Sequence, residues 1–179
     1  GGVWSGAGVT GNMFDPSEGT QTLTYTVTNS CGSTSDDLVV TVNAMPTANA
    51  GADLAACVND PDITLVGAPA GGVWSGVGVN GTMFDPSAGT QTLTYTVSNS
   101  CGSASDDMVV TITPMPTANA GNDLAACATD PDLTLVGAPA GGVWSGVGVT
   151  GNMFDPSEGT QTLTYTVSNS CGSASDDLV

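Results

Sequence analysis

Gln91-Thr92-Leu93-Thr94-Tyr95-Thr96-Val97-Ser98 alternates apolar and polar side chains, with Leu93, Tyr95 and Val97 on one side and Thr92, Thr94 and Thr96 on the other. A period of two marks a strand with one buried face. The outward threonine ladder reads as a shield for a sheet face. Asn99-Ser100-Cys101-Gly102-Ser103 reads as a hairpin turn, after which Met108, Val110 and Ile112 resume the alternation. Upstream, residues 53–57, 62–66 and 72–75 are further short strands, with Met83-Phe84 before a turn at Asp85-Pro86-Ser87. Short strands broken by frequent turn signals, with no helical spacing anywhere, predict an all-β sandwich.

The pattern recurs. GGVWSG begins at Gly1, Gly71 and Gly141, a 70-residue period, and residues 1–70 match residues 71–140 at 56 of 70 positions. Self-similarity at a fixed period means tandem modules. The strongest punctuation is Ala44-Met45-Pro46-Thr47 and its copy Pro114-Met115-Pro116-Thr117, each after a strand-like run and each suited to a linker. This places a complete sandwich at 46–115, a nearly complete one at 116–179 and the C-terminal part of another at 1–45. The 179 residues therefore read as a window of a longer array. A module of that size buries only about 60% of its unfolded surface, so a covalent staple would help it.

Charge narrows the function. The chain has no Lys, Arg or His against 17 acids, a net charge of −17, yet it is 40% hydrophobic with a mean hydropathy of +0.14. A protein without cations cannot neutralise phosphates, which excludes nucleic acid and anionic membrane surfaces as partners. Most general-base, Schiff-base and triad chemistry is missing as well. The expectation is a non-enzyme. No apolar run approaches the roughly 18 residues of a membrane span.

Pro46-Thr47-Ala48-Asn49-Ala50-Gly51, a cysteine before the second strand, GGVWSG, FDPS and TLTYTVSNSCGS together resemble the PKD-like and immunoglobulin-like repeats of Bacteroidota surface proteins. Those are giant secreted proteins, often associated with gliding motility or adhesion and exported by the type IX system. The resemblance implies tandem immunoglobulin-like or PKD-like β-sandwich domains. It also implies an extracellular, cell-surface location and a stalk-like or adhesive role. This chain differs in lacking every basic residue and in the closeness of its repeats, which suit a homopolymeric fibre.

The five cysteines occupy two equivalent sites, Cys57 and Cys127 after the first strand and Cys31, Cys101 and Cys171 at the hairpin turn. One pair per small β module indicates disulfides in an oxidising compartment. Zinc would want CxxC spacing or histidine. Two registers are open. In-domain pairing joins Cys57 to Cys101 and Cys127 to Cys171. In the implied immunoglobulin-like topology, however, Cys57 lies at the far pole of its domain and Cys101 at the near pole. About eleven strand residues separate those poles by roughly 35 Å, whereas a disulfide needs Cα atoms within about 7 Å. The far pole of one domain abuts the near pole of the next, which favours Cys57 with Cys171 across domains.

Acids without bases must be solvated, hydrogen-bonded or cation-bound. Asp60, Asp62, Asp130 and Asp132 in the two DPD segments are candidate Ca2+ ligands, and also candidates for a plain turn before the next strand. The pairs Asp36-Asp37, Asp106-Asp107 and Asp176-Asp177 are similarly dense. Gly76-Val77-Gly78-Val79-Asn80-Gly81 matches GxGxxG in form but opens no helix, so it reads as a glycine-rich β loop. Trp74 is a candidate sugar-stacking residue as well as a core residue.

Two functions follow as expectations. The first is a structural extracellular repeat protein forming a rod, fibre or filament, partnered by adjacent repeats or copies of itself. The second is an adhesive module binding surface glycans. Neither requires a cofactor beyond a possible Ca2+.

Overall fold

The computed structural model describes residues 1–179, and its regular structure is strand apart from three single-turn 3-10 segments. In chain order the strands are β1 (Val3–Ser5), β2 (Val9–Thr10), β3 (Met13–Phe14), β4 (Gln21–Asn29), β5 (Gly32–Val40) and β6 (Leu54–Cys57). There follow β7 (Ile63–Thr64), β8 (Val73–Ser75), β9 (Val79–Asn80), β10 (Met83–Phe84), β11 (Gln91–Asn99) and β12 (Gly102–Thr113). The last six are β13 (Leu133–Thr134), β14 (Val143–Ser145), β15 (Val149–Thr150), β16 (Met153–Phe154), β17 (Leu163–Asn169) and β18 (Gly172–Leu178). The chain packs as two compact units, residues 49–95 with 106–179 and residues 1–48 with 96–105.

In the larger unit one sheet has the order β6-β12-β11-β8 and the other β7-β10-β9. β6 runs parallel to β12, with Leu54 opposite Val110 and Cys57 opposite Thr113. Asn49 forms an isolated antiparallel bridge with Ala68, just beyond β7. The leading segment therefore starts beside one sheet and switches to the other at β6. Two sheets so ordered, with the first strand divided between them, make an immunoglobulin-like sandwich. Residues 116–179 repeat the plan as β13-β16-β15 and β14-β17-β18, with the Asn119–Ala138 bridge in the matching place.

The alternating strands supply the core. Phe84, Leu93 and Val110 are fully buried, and Trp74, Tyr95 and Met108 are buried as well. In the next repeat Leu135, Trp144, Leu163, Tyr165 and Leu178 form one cluster. Tyr95 also organises the loop before β8: its hydroxyl donates to Pro69 O at 2.6 Å and accepts from the Gly72 N–H at 2.9 Å. Its ring lies so close to Gly67 that a Cβ there would sit 2.5 Å from Cε1.

The glycine-rich loop holds more structure than its composition suggests. Val79–Asn80 is a strand, paired with Met83–Phe84 across a tight turn at Gly81, whose φ of 62° favours glycine. The Asp-Pro-Ser turns are the three 3-10 segments, each with its proline at the start and its aspartate accepting from the serine N–H two residues on.

In the smaller unit β1-β4-β5 form one sheet and β2-β3 a ribbon. Trp4 packs on Tyr25 with ring centroids 5.0 Å apart. Leu38, the counterpart of Met108, is 49% exposed because residues 1–45 contain no equivalent of the 49–68 segment.

Candidate functional site

The most distinctive chemistry in the molecule is a disulfide between Cys57 and Cys171, with Cα atoms 5.4 Å apart across 114 residues of sequence. Each partner is set by a local device. At the end of β6 the Cys57 N–H donates to Asp60 Oδ2 at 2.8 Å, while the Asp60 N–H donates to Cys57 O at 3.0 Å. That reciprocal pair closes a tight turn immediately after the strand. The Val58 N–H donates to Thr113 O at 3.1 Å, continuing the parallel ladder past β12. Cys171 sits at the tip of the β17–β18 hairpin, where its N–H donates to Asn169 Oδ1 at 2.8 Å.

The parallel pairing of β6 with β12 makes the meeting possible. It ends Cys57 and Thr113 side by side, so the chain leaving β12 through Pro114 and Met115 runs past the turn cysteine. The hairpin tip rests on that same stretch. Asn169 Nδ2 donates to Pro114 O at 2.9 Å, and Cys171 Sγ lies 3.5 Å from Thr113 O. Met115 Cε packs close under Gly172, whose φ of 141° favours glycine at this approach. A covalent bond, an amide hydrogen bond and a thioether contact thus converge on one junction.

Cys101 and Cys127, the other partners in the in-domain register, are free exposed thiols, as is Cys31. A disulfide places the protein in an oxidising setting. No helix is long and apolar enough to cross a membrane.

The acids act largely as hydrogen-bond acceptors. Asp60 and Asp130 close the turns after Cys57 and Cys127, while Asp62 and Asp132 are exposed. No group of three or more carboxylate or thiol side chains converges on one point. The aspartate pairs divide their work. Asp106 Oδ2 accepts from the Ala50 N–H, and Asp107 Oδ1 accepts from the Thr94 hydroxyl at 2.7 Å. The sequence carried a signal for this division. Asp106 shares the parity of Met108 and Val110, so it lies on the buried face, and Asp107 lies on the threonine face. Asp53 and Asp123 bond the N–H groups of Val109 and Val179 in matching fashion.

In Asp85 and Asp155 the following serine hydroxyl and backbone N–H hold the carboxyl below its ordinary range. In Asp15 the backbone N–H of Ser17 is the larger cause. All three are surface groups that stabilise their own turns.

Trp74, the candidate stacking residue, is instead a core residue. It is 5% exposed, and its ring centroid is 4.9 Å from that of Tyr95. Its position in the middle of β8, between exposed Val73 and Ser75, turns it inward, so no ring face is open to a sugar. A cavity of about 400 Å³ in the last repeat has Leu124, Leu133, Phe154, Leu163 and Leu178 among its lining residues. Leu124 is the counterpart of Leu54 in β6, which in the preceding repeat is paired with β12. The cavity is thus an open side of the core.

No protein-family model and no curated protein matches the chain. Among solved structures, the I-band fragment I67-I69 from titin is similar, with a TM-score of 0.49 and 14% identity over 99% of this chain and 81% of that one.

Proposed function

We propose that this chain is a structural, extracellular repeat protein that forms a rod, fibre or filament on or outside a bacterial cell. Its modules are the sandwiches at 46–115 and 116–179 and the C-terminal part of another at 1–45. The observation that carries the reading is the Cys57–Cys171 disulfide, which ties the turn after one module's first strand to the hairpin tip of the module that follows. Such a bond, beside a linker already docked on the hairpin, fixes neighbouring modules rather than shaping a ligand site. Near-identical repeats then give near-identical junctions, the requirement for a regular polymer. The resemblance to PKD-like surface repeats of Bacteroidota supports the same location, and so does the oxidising setting.

The adhesive alternative draws its main support from Trp74, and burial removes that ring from contact with glycans. It would have to use the threonine face instead.

Electron microscopy of native material, with and without a calcium chelator, tests the proposal. Filaments of uniform width are the expected result, and discrete compact particles would overturn it. Filaments that dissolve in chelator would make Asp60, Asp62, Asp130 and Asp132 cation sites between or within modules.

A further inference from the structure

Two of the three free cysteines keep local contacts of their bonded counterparts: Cys101 has those of Cys171 at the hairpin, and Cys127 has the aspartate turn of Cys57, although it ends no strand. At the hairpin, Asn169 donates to Pro114 O at 2.9 Å, and Asn99 donates to Ala44 O at 2.8 Å. Cys171 Sγ lies 3.5 Å from Thr113 O, and the Cys101 thiol donates to Asn43 O at 3.2 Å. Met115 Cε packs under Gly172 and Met45 Cε under Gly102. At the turn, Cys57 and Cys127 each donate an N–H to the aspartate three residues on, at 2.8 Å in both cases. The local sequences differ at the linker, where Asn43-Ala44 stands in place of Thr113-Pro114, yet the geometry is preserved.

Resting on the structural reading above, we infer that Cys101 and Cys127 are open halves of the same staple, each closing on the complementary cysteine of a further copy of this repeat. Cys127 takes a hairpin cysteine from the copy that follows its module, and Cys101 takes a turn cysteine from the copy that precedes its own. The partner is thus a second immunoglobulin-like module with this cysteine pattern, and every junction of the array carries one disulfide.

Closure is a thiol–disulfide exchange with a low-molecular-weight disulfide as oxidant. The Cys127 thiolate attacks one sulfur of that disulfide, forming a mixed disulfide and expelling one small thiolate. The hairpin thiolate of the neighbouring module then attacks the Cys127 sulfur and expels the second. Two protein thiols are oxidised, one small disulfide is reduced to two thiols, and the two protons pass to solvent or to the departing thiolates. Cys127 and the hairpin-type Cys101 are both exposed, as the exchange requires of its two partners.

The test is performed on the native protein, treated with N-ethylmaleimide before unfolding and digested without reduction by a protease that cuts before aspartate. The turn cysteines then fall in peptides 53–59 and 123–129 and the hairpin cysteines in 15–35, 85–105 and 155–175, all of different sequence. Mass spectrometry should find 123–129 linked to a hairpin-type peptide and 85–105 linked to a turn-type peptide, with maleimide on neither. Maleimide on Cys101 or Cys127 would overturn the inference. So would a link of 123–129 to 155–175, a link of 85–105 to 53–59, or a link between two peptides of one type. If the 53–59 to 155–175 link is present in those cases, the stapled-rod reading stands and only its repetition falls. Absence of that link would sink the rod reading itself.

Discussion

Asp106 Oδ2 accepts the backbone N–H of Ala50 at 2.8 Å, and Asp176 holds Ala120 in the same way one repeat later. Ala50 is buried, so its N–H has no water to turn to, and a carboxylate on the inner face of β12 is the group that satisfies it. In a chain with no cations, carboxylates are spent on backbone N–H groups rather than ion pairs. Asp106→Ala should destabilise the sandwich by about 1.5–3 kcal/mol, the range for a lost bond to a charged acceptor. Asp107→Ala, which releases only the exposed Thr94 hydroxyl, should change stability by less than about 0.5 kcal/mol. Urea unfolding of the two variants checks the contrast.

The Asp-Pro-Ser turns predict an acid limb in stability. Asp15, Asp85 and Asp155 have pKa values lowered by bonds from the serine two residues on. In the unfolded chain these groups bind protons near the ordinary value of about 3.9. Between that value and the lower folded one, the unfolded state holds more protons, so stability rises with pH. Their stabilising effect is complete above the unfolded pKa and disappears as pH falls through the folded one. Thermal melts from neutral to strongly acid pH should show it, and a triple Asp→Asn variant at these positions should flatten that limb.

Tyr95 anchors its loop with both faces of one hydroxyl. Tyr95→Phe leaves the Gly72 N–H and Pro69 carbonyl without that partner, at a cost of about 1–3 kcal/mol. Gly67→Ala pushes a methyl group into the same ring, and overpacking of this kind costs about 1–3 kcal/mol. Because both act on the same side chain, the double variant should depart from the sum of the singles in a denaturation cycle.

Trp74 separates the two functional readings. As a core residue its truncation to alanine should cost about 3–5 kcal/mol in chemical denaturation. Trp74→Phe should fold and retain any glycan binding the native chain displays, measured by glycan array and calorimetry. Selective loss of binding in folded Trp74→Phe would restore the ring as a ligand platform.

In residues 1–179 prepared without further copies of the repeat, reduction should matter at one bond. In the chain-entropy account, a cross-link over a separation of 114 residues stabilises by about 4–5 kcal/mol. Dithiothreitol and Cys171→Ser should lower the denaturation midpoint alike, and Cys31→Ser should leave it unchanged. A thiol titration of these 179 residues prepared alone, with no further copy of the repeat to close on, should return three groups before reduction, those of Cys31, Cys101 and Cys127.

The strands were legible wherever alternation ran long. Residues 91–98 and the stretch from Met108 to Ile112 state their own faces, since parity alone decides which side chain points inward. The two-residue strand at Val79–Asn80 was not legible, because its pairing comes from Gly81 and from Met83–Phe84 rather than from any pattern of its own. The acids were legible only in part. Parity marks Asp106 as inward, but nothing local says that the N–H it serves is that of Ala50, 56 residues away. Cysteine pairing belongs to the same class: spacing shows two kinds of site, and only strand order says which poles they occupy.

The Cys57–Cys171 bond spans 114 residues in a repeat of 70. Hydrolysis of any one peptide bond between those cysteines leaves both fragments joined, because the severed backbone is bypassed by sulfur. A span longer than the period also means that successive staples overlap wherever the pattern recurs. A chain built this way tolerates a nick at any single place between its outermost staples without parting.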